Sequence, residues 1–145
     1  MAARRLSVGV GLILGELEAM SEDLYIFGDA DRVRDRIEGL LLGPQPAEVR
    51  AFSDRLTTGL AELVRSAQIV LAAEMLMVGG DEVLFRVKQS SYQPEKLADL
   101  ARDYREATRC SISFGVGPDI ASAYLNLRRA KATGGGTTIG GTAAT

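Results

Sequence analysis

Apolar residues fall along this chain in two rhythms. Within "LYIFGDADRV", Leu24 to Gly28 is a short continuous apolar run, the mark of a buried strand, and it stops at carboxylates. From Arg32 to Leu42 the spacing changes: Val33, Ile37, Leu40 and Leu41 recur at helical intervals, and "GPQP" at 43–46 ends the segment. A second helix is predicted over Ala47 to Gln68, burying Val49, Phe52, Leu56, Leu60, Leu63 and Val64. "AAEMLMVGGDEVLFRVK" then reads as two strands joined by a tight turn at Gly79-Gly80. After the loop "QSSYQP", Leu97, Leu100, Ala101 and Tyr104 mark a third helix. "CSISFGVG" alternates Ile112, Phe114 and Val116 against small residues, as a strand does. "PDIASAYLNLRRAK" predicts a helix capped by Asp119, with Ile120, Ala123, Tyr124 and Leu127 on one face. "GGGTTI" leaves room for a short last strand.

The order is strand, two helices, hairpin, helix, strand, helix, with one possible edge strand. It contains the β-α-β-β-α-β core of the ferredoxin-like α+β class: an antiparallel sheet with helices packed on one face, here with an extra helix after the first strand. In that topology the first strand and the hairpin lie side by side. Asp29 and Asp31 end the first, and Asp81 and Glu82 sit at the turn of the second. The two acid clusters can therefore meet.

Composition narrows the chemistry. The 145 residues suit one domain, and a net charge of -2 gives no general pull toward nucleic acid or an anionic membrane. With no histidine, the chain lacks imidazole acid–base chemistry, Ser-His-Asp catalysis and most zinc sites. Cys110 is the single cysteine, so no internal disulfide forms and a reducing compartment fits; the thiol is expected in the core. Residues 1–22 are expected to be an ill-ordered extension, with Met20 a possible native start. Its apolar stretch is broken by glycines and lacks a small-residue cleavage site, which argues against a signal peptide. Residues 23–140 form the expected domain and 141–145 a disordered tail. No segment is long enough to insert in a bilayer, and a cytoplasmic location is expected.

Acids that converge without partners repel one another, and hard cations relieve that conflict. If the strand persists, Asp29 and Asp31 point to one side with Ala30 opposite. Gly79 and Gly80 permit close approach of a ligand, and the helix starting at Arg32 offers free N–H groups to phosphate. Taken singly, "DAD" also suits a helix cap and "GGDE" an ordinary turn. Taken together, in this order, they describe a nucleoside triphosphate site with two magnesium ions, manganese being a possible substitute.

"GGDEV" after an apolar strand, "FGDAD" upstream and "SISFGVG…AYLNLRRAKATGGG" downstream resemble the GGDEF and CRISPR-polymerase palm superfamily, from about Leu24 to Ile139. Within it the short palm and the "GDAD" start look most like the minimal CRISPR polymerases, mCpol. The resemblance implies that Asp29 and Asp81 are the main magnesium ligands and catalytic groups, with Glu82 assisting and the Ala30 carbonyl a further ligand. It sets Asp31, Arg34, Gly79, Gly80 and Lys131 among the nucleotide-binding positions, Lys131 holding the terminal phosphates. In many relatives the second acid, here Asp31, supports the site from behind.

Several positions depart from the family pattern. Val83 replaces the usual phenylalanine, Gly135 stands where an arginine is expected, and no RxxD precedes Gly79. Arg128 or Arg129 could compensate for that arginine, although a solvated helix face suits both; Arg32 and Arg36 are expected to be solvated. Tyr124 could stack on a base, but its spacing favours the core. Eight residues after Asp29, where diguanylate cyclases commonly carry an asparagine that reads guanine, stands Ile37. It offers no hydrogen bond, so ATP is favoured over GTP.

The resemblance thus implies a magnesium-dependent nucleotidyltransferase making a cyclic dinucleotide, expected to be of the cyclic di-AMP type, as a two-fold homodimer. It further implies antiphage signalling of the Panoptes kind, in which the product restrains a membrane effector. Two alternatives stand beside it: a ring-opening hydrolase like GTP cyclohydrolase III, and a catalytically inactive palm serving as a nucleotide sensor or dimerisation module.

Overall fold

The structure, a computed structural model, describes residues 22–43 and 45–141. The expected extension, apart from Glu22, and the expected tail, apart from Gly141, lie outside the described residues. Five strands form one sheet in the order β2-β3-β1-β4-β5, with β1 at Asp23–Ala30, β2 at Glu74–Gly79, β3 at Glu82–Lys88, β4 at Ile112–Gly117 and β5 at Thr138–Ile139. β1 pairs antiparallel with both β3 and β4, and β5 joins β4 in parallel. The helices are α1 (Val33–Leu41), α2 (Pro46–Val70), α3 (Pro94–Thr108) and α4 (Ile120–Ala132).

The sheet is ferredoxin-like, as the order of elements predicts. Strand side chains alternate between its faces. Ile26, Val83, Phe85, Val87, Ile112, Phe114 and Val116 meet Phe52, Leu60 and Leu63 of α2 and Leu97, Leu100 and Tyr104 of α3 in the main core. Cys110 is buried with them. Gly28 belongs to this face because the Phe114 ring lies 2.6 Å from where its Cβ would be.

α4 departs from the single helical face expected. A Cβ on Gly115 would run into the Ala123 carbonyl and the Leu127 N–H, so α4 lies against the odd-numbered side of β4, opposite α2 and α3. Its buried residues are Ala123, Leu127 and Ala130; Ile120 and Tyr124, expected beside them, are about half exposed, at 46% and 47%. Tyr124 instead rests its ring 6.1 Å from that of Phe27.

β1 runs past Gly28 to Ala30. Its continuation is set by neighbours: the Ala30 N–H donates to the Asp81 carbonyl at 3.0 Å and the Asp31 N–H to the Ser111 carbonyl at 2.8 Å. Arg32, with a left-handed backbone (φ 56), then turns the chain into α1.

Candidate active site

The register of β1 against β3 sets Asp29 directly opposite Glu82. Directly paired residues project to the same face of a sheet, so both acids stand on the α4 side, with Asp81 at the adjoining turn. The two acid clusters of the sequence therefore do meet. Burial pushes the Asp29 carboxyl above its ordinary pKa; Lys131 opposes that shift, while the charges of Asp81 and Glu82 add to it.

Lys131 reaches over this group from the last turn of α4. Its ammonium donates to the carbonyls of Asp29 (2.9 Å) and Ala30 (3.0 Å) and to Asp31 Oδ1 (2.6 Å), and lies 3.1 Å from Asp29 Oδ2. The lysine expected at the terminal phosphates is here a clamp across the end of β1.

Asp31 has a different environment from Asp29. It is buried, and its carboxylate accepts from Ser111 Oγ, Ser113 Oγ and the Gly136 N–H, each at 2.7 Å, as well as from Lys131. Burial raises its pKa, but the hydrogen bonds and the lysine charge outweigh that effect and hold it below the ordinary value. Gly135 (φ 80) closes over it: Asp31 Oδ1 lies 2.7 Å from where a Cβ would stand, so no side chain fits at 135. The two serines were not singled out in the sequence. Their signal is the "SIS" alternation, which puts Ser111 and Ser113 on one side of a strand.

Gly79 and Gly80 (φ 58) leave open space where their Cβ atoms would be. Gly80 and Asp81 border a cavity of about 510 Å³ between α1 and α2, floored by Val33, Ile37 and Leu56 with Arg34 on its rim. Asp81 thus belongs to both the carboxylate group and the cavity mouth. Arg128 and Arg129 do not reach either: both are exposed, and Arg129 donates to Asn126 on its own helix.

The donor set suits a hard divalent cation, since Asp29, Asp81, Glu82 and the Ala30 carbonyl offer only oxygen. Burial of the Asp29 carboxyl, with the smaller contributions of the Asp81 and Glu82 charges, is the penalty such an ion would relieve. Among the described residues, however, no three acids are drawn together closely enough to form a ready-made cage. Lys131 occupies the Asp29 and Ala30 oxygens meanwhile.

Residues 25–140 match the family model of mCpol, the minimal CRISPR polymerase domain. Among solved structures, the Csm1-Csm4 cassette in complex with pppApA is similar at a TM-score of 0.57 and 14% identity, over 81% of this chain and 20% of that one. The same cassette with cA4 matches at 0.54 and 14%, over 77% and 20%. The GGEEF domain of a diguanylate cyclase from Vibrio cholerae aligns at 0.46 and 19% identity, over 86% of each chain. This chain spans about a fifth of the cassette chain it matches. No curated protein matches the sequence.

Proposed function

The chain belongs to the mCpol family, the minimal CRISPR polymerase domains, and from that premise we propose that it is a nucleotidyltransferase joining two nucleoside triphosphates into a cyclic dinucleotide. A cyclase- or polymerase-type palm is what the family establishes; the specific reaction is our reading. One observation carries it: the β1–β3 register sets Asp29 against Glu82, beside Asp81 at the mouth of the Ile37 cavity.

Asp29, Asp81, Glu82 and the Ala30 carbonyl would hold magnesium, which would supply neutralisation of phosphate charge and a more acidic ribose hydroxyl. The chain's own residues do the rest. Lys131 leaves the Asp29 carboxylate and turns its ammonium to the terminal phosphates. The first N–H groups of α1 face the same anion. Val33, Ile37 and Leu56 take the base by apolar contact, and Gly79-Gly80 lets the nucleotide approach the turn. Each of two transfers forms one ester bond at an α-phosphorus and releases one pyrophosphate, the rate coming from positioning and electrostatics.

One palm offers one such cavity, so closing a ring of two calls for a two-fold homodimer. Ile37 carries no group that would demand guanine, and adenine is the preferred base. pppApA and cA4, the ligands of the Csm1-Csm4 cassette, contain adenosine only by their formulae, which makes ATP the first substrate to try. The product restrains a membrane effector in an antiphage arrangement, with the enzyme in the cytoplasm; no helix among the described residues is long and apolar enough to cross a membrane.

The test is incubation of purified protein with magnesium and ATP, GTP or both, with products identified by mass spectrometry and Asp81→Ala as control. A cyclic dinucleotide that disappears in the variant supports synthesis. Triphosphates that bind and stay intact support a nucleotide sensor instead.

A further inference from the structure

α1 has a second flank, turned away from the Ile37 cavity. Arg32 and Arg36 line a cavity of about 580 Å³ there together with Arg105 and Arg109 from the end of α3. Arg36 and Arg109 also line an adjoining cavity of about 460 Å³, bordered by Arg55 of α2. The two cavities share Arg36 and Arg109, so five guanidinium groups from α1, α2, α3 and their ends line a continuous cleft of two lobes, the larger lobe beginning behind Asp31 and Gly136.

None of the five forms an ion pair among the described residues. The acids on the cleft walls are Asp35, Glu48 and Asp31, and the last is already matched by Lys131. Arg36 and Arg55 lie over the same ring, that of Phe52, at 5.9 and 5.8 Å from its centre, and Arg55 Nε is buried without a hydrogen-bond partner. Arg32 (φ 56) and Arg109 (φ 64) are two of the three non-glycine residues with left-handed backbone among those described.

Unpaired like charges gathered in a concave, partly apolar site call for an anion. The guanidinium fork matches phosphate oxygens in pairs, as a lysine cannot. We propose that this cleft is a polyphosphate subsite, taking the di- or triphosphate group of a nucleotide on the opposite flank of α1 from the Ile37 cavity. That the phosphate belongs to a nucleotide rests on the function proposed above; the arginines themselves ask only for phosphate. Its source is either the tail of the nucleotide held at Asp81 or a separately bound phosphorylated ligand.

Inorganic pyrophosphate titrated calorimetrically into the full chain, without magnesium, reads the subsite with no turnover. Binding to the wild type should weaken at least tenfold in Arg36→Gln/Arg105→Gln, while Arg65→Gln, on the exposed side of α2, stays within twofold. Thermal melting confirms that each variant is folded, and the single Arg105→Gln replaces the pair if the pair is not. Equal affinity in wild type and the folded cleft variant overturns the proposal. The number of ATP molecules bound per chain, without magnesium, separates the sources. One per chain, weakened in the arginine variant, assigns the cleft to the nucleotide's own phosphates; two per chain, one of them lost in the arginine variant, assigns it to a second ligand. An inactive enzyme leaves this result intact, and a failed arginine test leaves the cyclase reading intact.

Discussion

Asp29 and Asp31 are two residues apart and have opposite energetic standing. Asp31 is buried with every oxygen answered by Ser111, Ser113, Gly136 or Lys131, so removing its charge breaks a network. Asp31→Asn should cost about 3 kcal/mol of stability, read as a lower urea midpoint. Burial and two acidic neighbours penalise the charge of Asp29, against the pull of Lys131. Asp29→Asn should abolish turnover and leave the urea midpoint unchanged or higher. The pH dependence follows from the two signs. Asp31, with its pKa depressed, lends stability above the ordinary carboxylate value of about 3.9, and loses it as pH falls through its lower folded value. Asp29, with its pKa raised, opposes folding while charged and is relieved as pH falls. In metal-free buffer the acid limb of the wild type should therefore be steeper than that of Asp31→Asn, and an unchanged limb would count against the network.

Among the elements, α4 is the one whose position decides the site, because Lys131 rides on it. It can lie close to β4 only because Gly115 and Gly117 have no side chains; at Gly117 a Cβ would stand 2.6 Å from that of Ser122. Gly115→Ala pushes against helix backbone, which cannot give as a side chain does, and should cost about 3 kcal/mol. Gly79→Ala meets nothing within 4 Å in the hairpin and has no left-handed requirement. It should change stability by less than about 0.5 kcal/mol. Nucleotide binding should nevertheless weaken if a ligand approaches that turn, so thermal melting and a binding titration on the same variant separate the two roles.

At the scale of the molecule, one palm holds one carboxylate group and one Ile37 cavity. On the function proposed above, a product made from two nucleotides would depend on two chains. Specific activity should fall on dilution in step with dimer dissociation measured by analytical ultracentrifugation, while the melting temperature of the isolated fold need not follow. Activity per mole that stays constant down to concentrations where the chain is monomeric would remove the homodimer from the mechanism.

The run Leu24–Gly28, the hairpin around Gly79-Gly80 and the strand at Ile112–Val116 were all legible, because period-two burial and glycine turns are local properties that residues carry with them. Their order also allowed the two acid clusters to meet, since β-α-β-β-α-β chains set the first strand beside the hairpin; the pairing of Asp29 with Glu82 is a matter of register that only the fold shows. Residue types alone did not show that Lys131 clamps Asp29 and Asp31, about a hundred positions earlier, or that Asp31 is a fully partnered support. Nor did they show which side of the sheet α4 takes, or why Tyr124 and Ile120, correctly spaced for a core, stay half exposed. Arg32 and Arg36 read as solvated charges until α1 packed beside α2 and α3. Spacing along a chain governs which residues share a face of one element; which faces meet, and which charges are left without partners, is settled only when the elements come together around the sheet.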